Sequence, residues 1–282
     1  QNACVIISAL IKILLVWFNA SLFYFAMALA FDALMLAAGL VWMYHRRGFD
    51  MSSWTFNMER AKSLLKQSFP LILSAVMVTI YMKIDQVMLK SVSSEAVGVY
   101  SAAATLSEAW YFIPIAIVTS VFPALINARL NDPERYQRRL QNLYDLMALI
   151  SIPIAIVVSF LGTDIIHFLY GNRFEGAGTM LSIHIWSGVF VFLGSASSQY
   201  LMAEGYTLIA FQRTAAGAIL NILLNFWLIP LYGGMGASVA TLIACIISTF
   251  YILFIGKTRQ QGIMMLKSLF LISAYQKIKS LE

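Results

Sequence analysis

Apolar residues along this chain fall into runs of about twenty, separated by short polar stretches that hold most of the Lys and Arg. The runs are Ala3–Phe18, Ser21–Tyr44, Ser68–Leu89, Val97–Ile126, Leu143–Leu161, Met180–Met202, Ile209–Ile229 and Met235–Ile255. None alternates with period two, as a barrel strand would, and in lipid only helices or closed barrels satisfy their own backbone groups. The pattern therefore predicts an all-α, polytopic membrane protein with about eight transmembrane helices. Between the second and third runs lies the polar stretch HRRGFDMSSWTFNMERAKSLLKQ, His45–Gln67. It reads as an interfacial amphipathic linker, with Trp54 and Phe56 offered to headgroups and Arg60, Lys62 and Lys66 turned to water or lipid phosphate. The basic stretch Lys257–Glu282 suits a short surface helix.

Breaks within the runs refine the picture. Pro114 and Pro123 fall inside the fourth run and Pro153 inside the fifth, where each removes a backbone donor and bends its helix. Such bends recur in transporters, although proline is also frequent in membrane helices generally. Tyr232–Gly234, after Pro230, predicts a tight turn between two antiparallel helices. The small residues of GGMGASVAT, beginning at Gly233, would let neighbouring helices approach closely.

Composition agrees with lipid as solvent. Residues are 60% hydrophobic and only 11% charged, too few charges to cover a soluble body of this length. The formal charge of +6 reflects loop placement and not a nucleic-acid surface. Arg46, Arg47, Arg60, Lys62 and Lys66 precede the third run, and Arg129, Arg135, Arg138 and Arg139 follow the fourth. Lys257, Arg259, Lys267, Lys277 and Lys279 follow the eighth. The intervening loops hold Lys90 and Arg173, so the alternation predicts both ends of the chain in the cytoplasm. Cys4 and Cys245 sit in apolar runs and read as small hydrophobes. The start, QNACVIISALIKILLVWF, lacks the layout of a signal peptide and opens as though already inside a helix, so part of a longer protein is expected.

Lys12, Asp32, Lys83, Asp85 and Glu108 are ionisable groups inside these runs, where each costs a few kcal/mol unless it faces protein or a wet cavity. Lys83 lies in the outer third of its helix and can snorkel; Asp85, two residues on, points to another face and needs a different partner. Glu108 lies near mid-depth and could pair with Lys83 across antiparallel neighbours. That pair is open to three readings: a structural brace, a contact for substrate or coupling ion, or exposure to a passive aqueous cavity. Tyr81, Tyr100, Trp110, Tyr111 and Trp186 suit either packing and an aromatic belt or stacking on sugar rings.

Nothing in the chain suggests an enzyme. His45, His167 and His184 lack ligand spacing, Asp164 and Glu175 have no evident catalytic partner, and there is no phosphate-binding G-x-x-x-x-G-K-[ST] loop.

The stretch Ser68–Leu125 resembles the second lobe of polysaccharide flippases, the Wzx-like branch of the multidrug/oligosaccharidyl-lipid/polysaccharide exporter superfamily. The matching elements are IDQVML at Ile84–Leu89, VGVYSAA at Val97–Ala103, FIP at Phe112–Pro114 and FPAL at Phe122–Leu125. Leu201–Ala244 resembles the family's eleventh and twelfth helices. The resemblance implies a MATE-like fold of two six-helix lobes around a V-shaped cavity. Residues 1–44 would then be the last two helices of the first lobe and 45–67 a cytoplasmic linker. Residues 68–256 would form the six-helix second lobe, and 257–282 a cytoplasmic basic tail.

It further implies flipping of polyprenyl-pyrophosphate-linked oligosaccharide units across the bacterial inner membrane for O-antigen or a related polysaccharide. The implied partners are that lipid-linked sugar, the bilayer and other polysaccharide-assembly membrane proteins, with no nucleic acid. No cofactor is implied beyond coupling to a proton or sodium gradient. On this reading the substrate-cavity candidates are Lys12, Asp32, Lys83, Asp85, Glu108 and Arg129, with Lys12 and Lys83 toward phosphate and Arg129 at the cytoplasmic mouth. The alternatives are an ion-coupled exporter of drugs or small molecules from the same superfamily, a membrane enzyme of polysaccharide assembly, and a structural subunit. The enzyme would need a large outer loop, which Leu161–Thr179 does not supply.

Overall fold

The computed structural model describes residues 2–18, 20–50 and 55–273, and these are helical, with no strand among them. Trp54, Lys277 and Lys279 lie outside the described residues. Nine α-helices occur among the described ones: α1 Asn2–Trp17, α2 Leu22–Arg46, α3 Met58–Leu89, α4 Ser94–Glu108, α5 Phe112–Asn131, α6 Pro133–Tyr170, α7 Ala177–Ala203, α8 Thr207–Phe250 and α9 Arg259–Leu269. Among the described residues, six stretches are long and apolar enough to cross a membrane, and α1 contributes a shorter apolar helix. The protein is thus a multi-pass, all-helical membrane protein. It divides into two compact units, Gln1–Leu64 and Leu65–Glu282.

In the first unit α1 and α2 are neighbours and carry one ion pair, Lys12 Nζ to Asp32 Oδ2 at 2.6 Å. Each charge alone would cost about 2.5–3.5 kcal/mol at the centre of a membrane helix, so pairing removes the largest obstacle to inserting both. The polar stretch after α2 becomes helical from Met58, and Arg60, Lys62 and Lys66 lie exposed on the first turns of α3.

The second unit is built around α7. Of its apolar window 61% is buried, against 6% for α3, so α7 is the hub and α3 a peripheral helix. Backbone proximity makes the α6–α7 contact possible: a Cβ on Gly178 would fall 2.5 Å from the Thr163 Cα, which leaves room only for glycine. Ser159 and Ser182 each donate a hydroxyl to the other's carbonyl, at 3.2 and 3.0 Å, an interhelical clasp suited to a site without competing water.

Local sequence sets the helix ends. Ser93 accepts from the Ala96 N–H at 2.9 Å and starts α4. Asp132 accepts from the Arg135 N–H at 2.9 Å, with Pro133 in the first turn of α6. Pro114, expected to bend one long helix, instead stands in the first turn of α5 after a break at residues 109–111. Its missing N–H cannot serve the Trp110 carbonyl four residues back, and Ile113 N–H takes that acceptor in a tighter turn, 3.1 Å.

The last long helix reverses direction. Gly233 has φ 55° and ψ −132°, a conformation open to glycine and strained for residues with a Cβ. Asn221 Nδ2 donates to Thr241 Oγ1 at 3.4 Å, although twenty positions along a continuous helix would separate them by about 30 Å. Residues 207–232 and 234–250 are therefore two antiparallel arms, as the Tyr232–Gly234 signal predicts.

The basic stretch after α8 does form a helix, α9, but it is docked and not a free surface helix. Gln261, Met264, Met265 and Ser268 are buried. Gln141 donates to Ser268 Oγ at 2.7 Å, Ser268 to Asp145 Oδ1 at 2.6 Å and Ser273 to Asp145 Oδ2 at 2.9 Å. Asp145 lies within the fifth apolar run and was not among the expected buried charges.

Candidate functional site

Three groups of polar side chains within the second unit's bundle stand out as candidates for function. The first is the Lys83–Glu108 pair, 3.5 Å between Nζ and Oε2. It joins α3 to the last residue of α4, and the lysine side chain is more than half exposed. Lys83 lies within a row on α3, with Ile72, Val76, Thr79 and Ile80 before it and Ile84 and Val87 after it, that forms an open, mostly apolar face beside a space of about 590 Å³.

Asp85 occupies the second. Two residues beyond Lys83, it turns inward and is 1% exposed. Tyr100 of α4 donates to Oδ2 at 2.6 Å. Thr241 and Asn225, one from each arm of α8, donate to Oδ2 and Oδ1 respectively. Asn221 donates to Thr241 and accepts from Asn225 at 3.2 Å. No cationic side chain pairs with Asp85 among the described residues. Asn225 Oδ1 is buried without a partner. A carboxylate, two amides and two hydroxyls thus converge from α3, α4 and both arms of α8. Near them, the buried His184 ring stands edge-on to Tyr100 and bonds Ser107 at 2.9 Å.

Arg213 defines the third. It lies on the first arm of α8, 6% exposed, in the wall of a cavity of about 350 Å³ bordered by α3, α5, α7 and both arms of α8. Its Nη2 donates to Gly194 O at 3.0 Å and Ser198 Oγ at 2.6 Å, while Nε and Nη1 are buried without partners. An unsatisfied buried polar group costs about 1–3 kcal/mol, more when charged, so this arrangement is not one that folding alone would favour.

Of the expected site residues, Lys83 and Glu108 are thus brought together, Asp85 is enclosed apart from them, and Lys12 meets Asp32 in the first unit. Arg129 is engaged elsewhere: Nε and Nη2 reach the two oxygens of Glu204 at 2.9 and 3.3 Å, and Tyr136 donates to the same carboxylate at 3.0 Å. Among the aromatics, Tyr81 and Tyr111 line the Arg213 cavity, and Trp186 is held by Ser159 at 2.9 Å. Arg213, Asn221 and Asn225 were missed. Arg213 sits four residues into its apolar run, where arginine normally snorkels. The spacing of Asn221 and Asn225, one turn apart in NILLN, was a readable sign of a polar face on an apolar helix.

An apolar helical bundle with buried polar clusters at membrane depth is the build of a membrane transporter. The polysaccharide biosynthesis protein family matches residues 2–178, and the chain belongs to that family. The probable flippase AglR of Haloferax volcanii is 28% identical over 157 residues, 54% of this chain and 33% of that protein. The fold is similar to lipid II flippase MurJ in an inward closed conformation, with TM-score 0.59, 22% identity and coverage of 79% of this chain and 50% of that one. It is also similar to a MOP superfamily transporter from Pyrococcus furiosus, with TM-score 0.57, 17% identity and coverage of 70% and 45%. The chain spans a third of the curated relative and about half of each structure. The resemblance to the polysaccharide-flippase branch is borne out, and these relatives are in keeping with a transporter and not an enzyme.

Proposed function

We propose that this chain forms part of a flippase that moves polyprenyl-pyrophosphate-linked oligosaccharide units across the bacterial inner membrane, for O-antigen or a related polysaccharide. Its α1 and α2 would complete a first MATE-like lobe. With α4 and α5 together making one crossing, the helices from α3 to the second arm of α8 would form the six-helix second lobe, giving about eight crossings with both ends cytoplasmic. The observation that carries this reading is the exposed face of α3, an apolar strip interrupted near one end by a loosely held ammonium, Lys83. An apolar chain with a phosphate at one end has the matching chemistry, because Lys83 is more than half exposed and its contact with Glu108 is long, 3.5 Å, so that a pyrophosphate oxygen can compete for it.

Coupling to a proton or sodium gradient is supported by the Asp85 cluster, where only neutral donors face the carboxylate. Rotating the Asn225 amide would bring its free Oδ1 beside Asp85, an arrangement that a proton or small cation between the oxygens stabilises. The same cluster favours a second reading, ion-coupled export of a small cation or drug.

Deleting the full-length gene separates the two. Lipid-linked repeat units should accumulate on the cytoplasmic leaflet while polymer is lost. Continued polymer synthesis without accumulation would remove the flippase reading and leave the exporter.

A further inference from the structure

The outward side of α9 takes no part in the clusters described above. One face of this helix is docked, with Gln261, Met264, Met265 and Ser268 buried. Arg259, Ile263, Lys267 and Phe270 are exposed, and at about 100° per residue they fall within about 80° of one another on the opposite side. Phe254, just before the helix, and Phe270, at its end, are 80% and 69% exposed. From Phe254 to Ser273 the chain holds three basic residues, Lys257, Arg259 and Lys267, and no acidic one. No ion pair among the described residues uses these three.

The way α9 is docked says what this face meets. Gln261 donates to Gln137 of α6 at 3.0 Å and accepts from Tyr144 at 3.3 Å. Ser268 accepts from Gln141 at 2.7 Å and donates to Asp145 at 2.6 Å. From Gln261 to Ser268 is about 10 Å of helix, yet the partners on α6 advance on average by less than one turn. α9 therefore lies across α6 and not along it. The crossing falls where the polar start of α6, Pro133–Asn142, gives way to the apolar run that begins at Leu143. That is the boundary between headgroups and hydrocarbon, and a helix laid across a membrane-spanning helix there lies close to the membrane plane.

We propose that the outward face of α9 is a bilayer-contact surface for anionic phospholipid headgroups, in the cytoplasmic leaflet on the topology given above. Lys257, Arg259 and Lys267 meet headgroup phosphates, while Phe254, Ile263 and Phe270 enter the edge of the acyl chains. A zwitterionic leaflet would cover the aromatic rings but give the three cations no net opposite charge; an anionic leaflet supplies both. The bonds to Asp145 fix the depth at which this face stands. The surface follows from the membrane fold and not from what the protein carries.

The test uses the full chain. Purified in an uncharged maltoside and offered equal amounts of phosphatidylglycerol and phosphatidylcholine, it should retain phosphatidylglycerol preferentially in native mass spectrometry. K257Q, R259Q and K267Q should each lower that preference by about fivefold, the worth of one basic residue at an anionic surface. Equal retention of the two lipids would overturn the proposal, and so would an undiminished preference in the triple variant. A second measurement keeps the basic residues in place: a spin label at I263C in a C4S/C245S background, in vesicles of phosphatidylcholine with about a quarter phosphatidylglycerol. The label should be reached by oxygen and shielded from a water-soluble nickel chelate. Nickel access as high as for a label at the exposed Arg173 would show that this face stands in water, and the bilayer contact would be wrong.

Discussion

Arg129 and Arg213 are both drawn into helix packing in the second unit, and they are treated in opposite ways. At the junction of α5, α6 and α7, Arg129 meets a carboxylate with two of its nitrogens, and Tyr136 completes the acceptor's shell. In the cavity wall Arg213 meets only a carbonyl and a hydroxyl that already satisfy each other, and two of its nitrogens are idle. A charge fully matched by its own chain braces the fold; one left partly unmatched retains its strength for something else. Asp85 belongs with Arg213. It too is buried and without a counter-charge, although neutral donors hold both its oxygens.

Four predictions would break or sharpen that contrast. The largest stability effect should come from D85A, which leaves the hydroxyls of Tyr100 and Thr241 and the amide of Asn225 without their acceptor; a loss on the order of 3 kcal/mol should appear as a lowered melting temperature in detergent. D85N should fold better yet lose gradient-driven transport by the full-length protein, and normal coupling in D85N would make the cluster merely structural. Next, R129A should destabilise by about 2 kcal/mol, between exposed and buried pairs, with much of the loss recovered in R129A/E204A. Additive losses in that double mutant would show that the strap is not a pair.

K83M and E108Q should each cost no more than about 1 kcal/mol, since their pair is long and its lysine is more than half exposed. If transport also stays normal, the phosphate role of Lys83 is wrong. Smallest of all, R213M should leave the melting temperature unchanged or slightly raised. A drop as large as that of R129A would erase the distinction between the two arginines.

Much of the architecture was legible because lipid imposes a coarse rule: about twenty apolar residues span it, and only a helix does so at low cost. Gly233 was visible for a similar reason, since a reversal after Pro230 requires a backbone that few residues adopt. Pro114 shows where that reading stopped. A proline signals that a helix is disturbed, but whether it bends or breaks depends on what its neighbours can bond.

For the candidate site, residue type and depth marked Lys83, Asp85 and Glu108, because a charge in an apolar run is conspicuous. They also marked the Lys83–Glu108 pairing, since both positions fall on consecutive helices of opposite direction. The fate of Asp85 was not legible. Its partners Asn225 and Thr241 lie more than a hundred positions away, on two arms brought together only by the turn at Gly233. Arg213 was hidden differently: nothing along the chain says that the groups around its guanidinium are already satisfied. Sequence by itself thus determined the solvent, the helices and the cost of each buried charge, which are local properties. Which charges are matched, and which are left partly unmatched, only the packing of α3, α7 and α8 decided, because a hydrogen bond needs a partner within about 3 Å.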